Sequence, residues 1–223
     1  MNTPCFRAGW ILPIGRPPIR DGWVETDGRL VLRTGSGAPP APAADLGRTA
    51  VLPGLVNAHT HLELSWMAGL VRPAASLPVW LRDVIVRRTA GPAGGTNEIL
   101  EAARRGARSA VESGTVLVGD ISNTLVTPPV LRHVGLSGVV FHELLGFNTV
   151  DPVLVVKQAM ERVEDARALL ASHQGDQLTP PSEIVLTLSA HAPYSVSPAL
   201  FAEIARRSSG QLLTVHLAES AEE

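Results

Sequence analysis

The chain has 223 residues, of which 19 are Lys or Arg and 21 are Asp or Glu, giving a formal net charge of −2. This near balance gives no electrostatic reason to expect nucleic acid or an anionic membrane surface as a partner. Hydrophobic residues make up 45% of the chain, Cys5 is the single cysteine, and no apolar run approaches the roughly 18 residues of a membrane helix. A soluble cytoplasmic protein, with no membrane and no nucleic-acid partner, is therefore predicted.

Residues 1–52 are predicted to form a small all-β subdomain. Strand-like runs are separated by turns, and Asp27-Gly28 is typical of a hairpin turn. The Gly-, Pro- and Ala-rich stretch 34–45 predicts a loop. The strand-like runs are 6–14, 22–32 and 46–53.

From residue 53 onward, apolar strands alternate with helices, which predicts an α/β fold with a parallel sheet. Thr96 and Asp151 are the predicted N-caps of the two longer helices, and Pro152 suits a first helical position. The predicted strands are 54–61, 115–122, 136–146, 182–193 and 211–219, and the predicted helices are 96–114, 151–172 and 197–210.

An open doubly wound sheet and a (β/α)8 barrel both fit this alternation. An open sheet would concentrate its ligands at one switch point, whereas polar residues follow every strand of this chain. A barrel collects its chemistry at the C-terminal ends of its strands, so the pattern favours a barrel of which about five strands lie in residues 53–223. The strand-end residues are His59, His61, Asp120, His142, Glu143, His191, His216 and Glu219.

His59 and His61 lie one residue apart at the end of the first barrel strand. Alternate residues of a strand point to the same side, so both imidazoles would face one site. Imidazole is a good ligand for zinc and iron(II), which predicts half of a metal site; the alternative is a structural histidine pair. His191 and His216 end later strands, and Glu219 follows at a spacing where a carboxylate could take a proton from metal-bound water.

The stretches "LPGLVNAHTHLEL", "SAHAPYSVSPALF" and "TVHLAESAEE" resemble the amidohydrolase superfamily, in its aminohydrolase and chlorohydrolase branch. That branch includes deaminases of methylthioadenosine and S-adenosylhomocysteine, of guanine and of aminofutalosine, together with triazine hydrolases. The resemblance implies a TIM-like (β/α)8 metal-dependent hydrolase barrel over 53–223. It also implies a small N-terminal β-sandwich subdomain, to which residues 1–52 contribute.

The resemblance implies roles for single residues as well. His59, His61 and His216 match the metal ligands of the family, and Glu219 matches its catalytic proton shuttle. His191 matches a histidine that faces the substrate.

The stretch "SLPVWLRDVI" resembles a long loop whose Trp, here Trp80, walls the substrate pocket. Some nucleoside deaminases have a carboxylate before that Trp, where this chain has Val79. Binuclear members bridge two metals with a strand-end lysine, whereas the one lysine here, Lys157, lies on a predicted helix. The resemblance therefore implies one divalent metal ion, zinc, with iron as the alternative.

The implied reaction is hydrolytic deamination of a small-molecule nitrogen heterocycle of the aminopurine, nucleoside or aminofutalosine type. Hydrolytic dechlorination of a triazine-like substrate is the alternative for the same residues. The sixth-strand histidine and eighth-strand aspartate of the family are not in this sequence, so we expect the N-terminal portion of a protein of roughly 400 residues. A further hypothesis is a catalytically incomplete fragment that binds metal or forms a homodimer through open sheet edges.

Some strand-end residues keep two interpretations. Glu63 either touches substrate from the face of His61 or makes a structural hydrogen bond. Either His142 or Glu143 faces the pocket, and Glu63 and Glu143 are taken as substrate-binding candidates. Asp120 is interpreted as a loop cap and not as a catalytic residue. The arginine pairs at 87–88, 104–105 and 206–207 are predicted to lie on solvated helix faces.

Overall fold

The computed structural model describes residues 3–28, 30–172 and 182–221, and the chain divides into two units, Met1–Gly54 and Leu55–Glu223. The strands of the first unit are β1 (Cys5–Ile11), β2 (Ile19–Thr26), β3 (Val31–Ser36), β4 (Ala44–Asp45) and β5 (Ala50–Val51). They form one sheet in the order β3-β2-β1-β4, with β5 also pairing with β1.

The predicted hairpin turn joins β2 to β3. The Asp27 amide donates to the Leu30 carbonyl at 3.2 Å, and the Leu30 amide donates to Asp27 Oδ1 at 2.7 Å. Gly28 has φ of +88°, a conformation that glycine adopts without a steric penalty. The prediction of a turn at Asp27-Gly28 is therefore confirmed.

The second unit alternates strands with helices. Its strands are β6 (Leu55–Thr60), β7 (Thr115–Ser122), β8 (Ser137–Leu144) and β9 (Ile184–Ala190), and a 3-10 helix covers Leu62–Met67. Its α-helices are α1 (Leu77–Ala90), α2 (Gly95–Glu112), α3 (Thr127–Val134), α4 (Pro152–Ser172) and α5 (Pro198–Arg207). None of the helices in the described ranges is both long and apolar enough to cross a membrane.

Strands β6 to β9 form a parallel sheet in sequential order. Its core consists of side chains of the strands packed against those of the helices, with Val140 of β8, Val156 of α4 and Leu200 of α5 all fully buried. The carboxyl ends of all four strands meet at one edge, because parallel strands run in the same direction. That edge carries the polar residues that the sequence places after each strand.

Two predictions about elements are wrong. Residues 211–219 do not form a fifth strand: the His216 amide donates to the His191 carbonyl, but no regular ladder with β9 follows in the described residues. Leu212 and Leu217 are 65% and 66% exposed, so the segment gains little of the burial that stabilises a central parallel strand. Thr96 is not an N-cap either, because α2 begins at Gly95.

Candidate active site

The end of β6 departs from regular pairing where His59 lies. Residues 57–60 of β6 pair with 118–120 of β7, so the register shifts by one residue between them. A β-bulge of this kind re-aims side chains and is frequent next to active sites. Gly119 makes room for it, because a Cβ atom there would collide with the Ala58 carbonyl.

His59, His61 and His216 converge on one point. Their ligand nitrogens all lie within 4.8 Å of one another, and His61 Nε2 is 3.2 Å from His216 Nε2. Two imidazole nitrogens on one tetrahedral zinc ion are about 3.3 Å apart, given the usual zinc–nitrogen bond length. The donor set therefore fits a single zinc-like ion held by β6 and by the segment that follows α5.

The lowered pKa values of His59 and His61 favour the neutral state that metal binding requires. Burial, followed by the neighbouring rings of His216 and His59, lowers the pKa of His61 to about 4. Burial and His216 also lower the pKa of His59. His61 is therefore neutral near pH 7, and a neutral imidazole has the free lone pair that binds a cation.

His216 is held against the end of β9. Its amide donates to the His191 carbonyl at 2.7 Å, and its ring stacks on that of His191 with centroids 4.7 Å apart. Its Nδ1 lies 3.2 Å from the same carbonyl and 3.5 Å from Glu143 Oε1. Two acceptors at Nδ1 favour the tautomer with hydrogen there, which directs the Nε2 lone pair toward His61.

His191 is fixed by its own motif. Its Nδ1 is 2.6 Å from Ser195 Oγ, and the Ser195 hydroxyl donates to the Ala192 carbonyl at 3.1 Å. This arrangement favours hydrogen on Nδ1 and an acceptor lone pair on Nε2. Burial, followed by His216, lowers the pKa of His191 to about 4.

Glu219 is exposed, and Tyr194 binds it directly. The Tyr194 hydroxyl donates to Glu219 Oε2 at 2.6 Å. Sequence reasoning did not single out Tyr194, although it lies within the "HAPYS" stretch that contains His191.

Glu63 is 3% exposed and lies at the centre of a hydrogen-bond cluster. Arg88 and Ser122 donate to its carboxylate, and so do Asn123 through its amide and Thr124 through both its amide and its hydroxyl. The geometry therefore favours the structural hydrogen-bonding role for Glu63 over contact with substrate. It also corrects the prediction for Arg88, which forms an ion pair with Glu63 at 3.0 Å and is not simply part of a solvated face.

Glu143, and not His142, lies on the side of the histidines. Asn123 Nδ2 donates to Glu143 Oε2 at 3.1 Å and to its carbonyl at 2.9 Å. His142 is 1% exposed, and its Nδ1 lies 3.1 Å from the Ser122 carbonyl. Glu143 is only 4% exposed, and this burial raises the pKa of its carboxyl. Asn123 was missed as a site residue, although its place directly after β7 could have indicated it.

Asp120 and Trp80 have simpler environments. Asp120 is fully buried and accepts a hydrogen bond from the Leu62 amide at 2.9 Å, so it fixes the turn that follows His61. Trp80 lies on α1 and is 39% exposed. No residue of α1, which is described in full, is buried.

Comparison with known proteins gives a consistent result. Residues 50–223 match the amidohydrolase family. The 8-oxoguanine deaminase of Pseudomonas aeruginosa is 28% identical over 225 residues, which cover 91% of this chain and 48% of that protein. The adenosine deaminase of Helicobacter pylori is 29% identical over 191 residues, which cover 83% of this chain and 42% of that protein.

A solved structure is similar over almost the whole chain. The crystal structure of Helicobacter pylori aminofutalosine deaminase in complex with methylthio-coformycin superposes with a TM-score of 0.73 at 25% identity. The match covers 98% of this chain and 52% of that one. The chain therefore spans about half the length of the relatives that it matches.

Proposed function

The chain belongs to the amidohydrolase family, and on that premise we propose that it supplies part of the active site of a metal-dependent hydrolase that deaminates a nitrogen heterocycle. The observation that carries the proposal is the convergence of three imidazoles within 4.8 Å, at the edge of a parallel sheet where barrel enzymes place their chemistry. The relatives named above are deaminases of a purine, a nucleoside and a related compound. An amino-substituted heterocycle is therefore the proposed substrate class.

His59, His61 and His216 would hold one divalent ion, zinc in our proposal because of the all-imidazole donor set. When bound, such an ion lowers the pKa of a coordinated water and so supplies a nucleophile near neutral pH.

The proton transfers fall to Glu219. Its carboxylate, exposed and oriented by Tyr194, would accept one proton from the attacking water and deliver it to the ring nitrogen. It would then accept the second proton of that water and deliver it to the amine, which leaves as ammonia. His191 presents Nε2 as an acceptor, which suits an N–H group of the substrate. Trp80 is proposed to cover the substrate. Glu63 and Glu143 are proposed to support the site through their hydrogen bonds with Asn123.

The test is ammonia release by the full-length protein that contains this chain, loaded with zinc. The panel is 8-oxoguanine, adenosine, methylthioadenosine, S-adenosylhomocysteine and aminofutalosine, and chloride release from a chlorinated triazine tests dechlorination. We expect deamination of at least one compound, its loss in His61→Ala, and a decrease of about 100-fold or more in Glu219→Gln.

The exposed His133 on α3 provides a matched control, because His133→Ala also removes one imidazole but not one at the site. It should bind zinc and turn over substrate as the wild type does. Full activity in Glu219→Gln, or a wild-type protein that binds no metal, would show that the proposed function is wrong.

A further inference from the structure

Glu143 has a carboxylate with two different neighbours. Oε2 accepts a hydrogen bond from Asn123 Nδ2 at 3.1 Å. Oε1 is buried, makes no hydrogen bond within normal distance to the described residues, and lies 3.5 Å from His216 Nδ1. Oε1 therefore faces Nδ1 of His216, the ring nitrogen that is not the one near His61.

Burial determines what Glu143 can touch. The residue is 4% exposed and Oε1 is shielded from solvent, so a substrate entering from the open edge of the sheet would meet the histidine rings first. His216 itself is within reach. A carboxylate behind a metal-binding histidine fixes the ring and its tautomer, and makes the other ring nitrogen a better donor to a cation.

The groups around Glu143 suit the carboxylate of a glutamate better than the amide of a glutamine at this position. Asn123 Nδ2 donates to Oε2, and Oε1 lies 3.5 Å from His216 Nδ1, whose nearer acceptor is the His191 carbonyl at 3.2 Å. Both oxygens of Glu143 therefore face nitrogens that can donate, and a carboxylate can accept at each. A glutamine would place its own NH2 group against one of these two donors, whichever way the amide is turned.

Asn123 is in turn held by Glu63. The Asn123 amide donates to Glu63 Oε1 at 3.0 Å, and Glu63 also binds Ser122, Thr124 and Arg88. The Asn123 side chain spans the Glu143 carbonyl and Oε2. A continuous set of hydrogen bonds therefore runs from Glu63 through Asn123 to the carboxylate that faces His216.

We infer that Glu143 is a positioning residue for His216: its carboxylate, oriented by Asn123 on the buried Glu63, acts with the His191 carbonyl to keep hydrogen on His216 Nδ1 and Nε2 turned toward His59 and His61. This inference rests on the proposed function, because it assigns His216 to the metal site. It gives Glu143 a role different from contact with substrate.

The experiment measures zinc affinity of the full-length protein by competition with a chromophoric chelator. Glu143→Gln should weaken zinc binding by about 10- to 100-fold, the usual effect of losing such a partner. Glu203→Gln is the matched control, because it makes the same chemical change on α5, where the carboxylate pairs with Arg206 and Arg207. It should leave zinc affinity unchanged.

Asn123→Ala is a second variant that keeps the Glu143 carboxylate and removes the donor that orients it. It should weaken zinc binding too, although less than Glu143→Gln. Zinc affinity within threefold of the wild type in both variants would overturn the inference while leaving the proposed metal site intact.

Nitrogen-15 NMR of the zinc-free protein reports the His216 tautomer without any metal or activity. We expect hydrogen on Nδ1 in the wild type and a shift toward the Nε2-protonated form in Glu143→Gln. If the wild type binds no zinc, the proposed function fails and this spectrum alone decides the inference: an identical His216 tautomer in both proteins overturns it.

Discussion

The hydroxyl of Tyr194 contacts the proposed proton shuttle, Glu219. Its hydroxyl donates to Glu219 Oε2 at 2.6 Å, a charge-assisted hydrogen bond of the stronger kind. Such a bond limits the rotamers that an exposed glutamate would otherwise sample. We therefore expect Tyr194 to orient the carboxylate of Glu219, the proposed proton shuttle.

Tyr194→Phe should lower kcat about tenfold with little change in KM, since one charge-assisted hydrogen bond contributes roughly 1.5–3 kcal/mol. Steady-state kinetics on the best substrate of the panel tests this, with zinc affinity as the control for an intact metal site. An unchanged kcat would mean that Glu219 does not depend on this hydroxyl.

Asp120 predicts a pH dependence of stability. Burial raises its pKa in the folded protein from 3.8 to about 7, so between these values the unfolded chain ionises while the folded one stays protonated. The contribution of Asp120 to the free energy of unfolding therefore falls as the pH rises from 4 to 7 and levels off above that range. Asp120→Asn should remove this part of the decline, which urea unfolding across the range measures.

Glu203 gives a control of opposite sign. Hydrogen bonds from Arg206, opposed by burial and assisted by Arg207, lower its pKa to about 2. Its stabilising contribution is complete above its ordinary pKa of 4.5 and is lost as the pH falls toward 2. Glu203→Gln should therefore be less stable than the wild type by a constant amount above pH 5, and the difference should shrink as the pH falls below 4.5. For Asp120, the contradicting outcome is a free energy of unfolding that varies with pH in Asp120→Asn as it does in the wild type. That result would mean that the pKa of Asp120 is not raised by folding.

Helix starts are decided at the scale of the element. Asp151 precedes α4, and its Oδ1 accepts a hydrogen bond from the Leu154 amide at 3.0 Å, as the sequence predicts. Thr96 has the same type of side chain for capping but lies one residue inside α2, which begins at Gly95. The flexible glycines before Thr96 let the helix start earlier than the capping pattern indicates.

This difference can be measured. Asp151→Ala should cost about 1 kcal/mol in the free energy of unfolding, because it removes an N-cap. Thr96→Ala, at an exposed position within the helix, should change it by less than about 0.5 kcal/mol. If urea unfolding gave equal decreases in the free energy of unfolding for both variants, Asp151 and Thr96 would contribute equally to stability, contrary to this prediction.

The sequence predicts correctly the strands and helices whose pattern of apolar and polar residues agrees with their burial in the folded chain. The strands that contain His59, Asp120 and Glu143, the strand that ends directly before His191, and the helix starting at Pro152 are found as predicted. Residues 211–219 have an equally apolar pattern but form no strand, because pairing and burial depend on neighbours that local sequence does not describe. The ion pair between Glu63 and Arg88 could not be predicted for the same reason, because the two residues are 25 positions apart and come into contact only in the folded chain.

At the scale of the whole molecule, the described part of the second unit is four parallel strands and their helices, part of a TIM-barrel fold, and the α/β prediction is confirmed. The metal site that we propose uses residues from opposite ends of this unit. His61 and His216 are separated by 155 positions in the sequence. Anything that binds both must stabilise the folded chain relative to the unfolded one.

Zinc should therefore raise the melting temperature of the protein. At a free zinc concentration 100 times the Kd, the expected stabilisation is about 2.7 kcal/mol. Thermal unfolding with and without a chelator measures it. The gain should vanish in His61→Ala and persist in His133→Ala, whereas an equal gain in all three proteins would point to zinc binding elsewhere.

A backbone hydrogen bond joins the segment 212–218 to the residue that follows β9: the His216 amide donates to the His191 carbonyl. This bond has a consequence for hydrogen exchange. Solvent-exposed amides exchange their hydrogen rapidly, whereas a hydrogen-bonded amide exchanges only when the structure around it opens locally. The His216 amide should therefore exchange slowly among fast neighbours such as Val215 and Leu217. A cation bound to His61 and His216 would slow this exchange further. The exchange rate of the His216 amide would therefore report whether the metal ligands from the two ends of the unit bind the same ion.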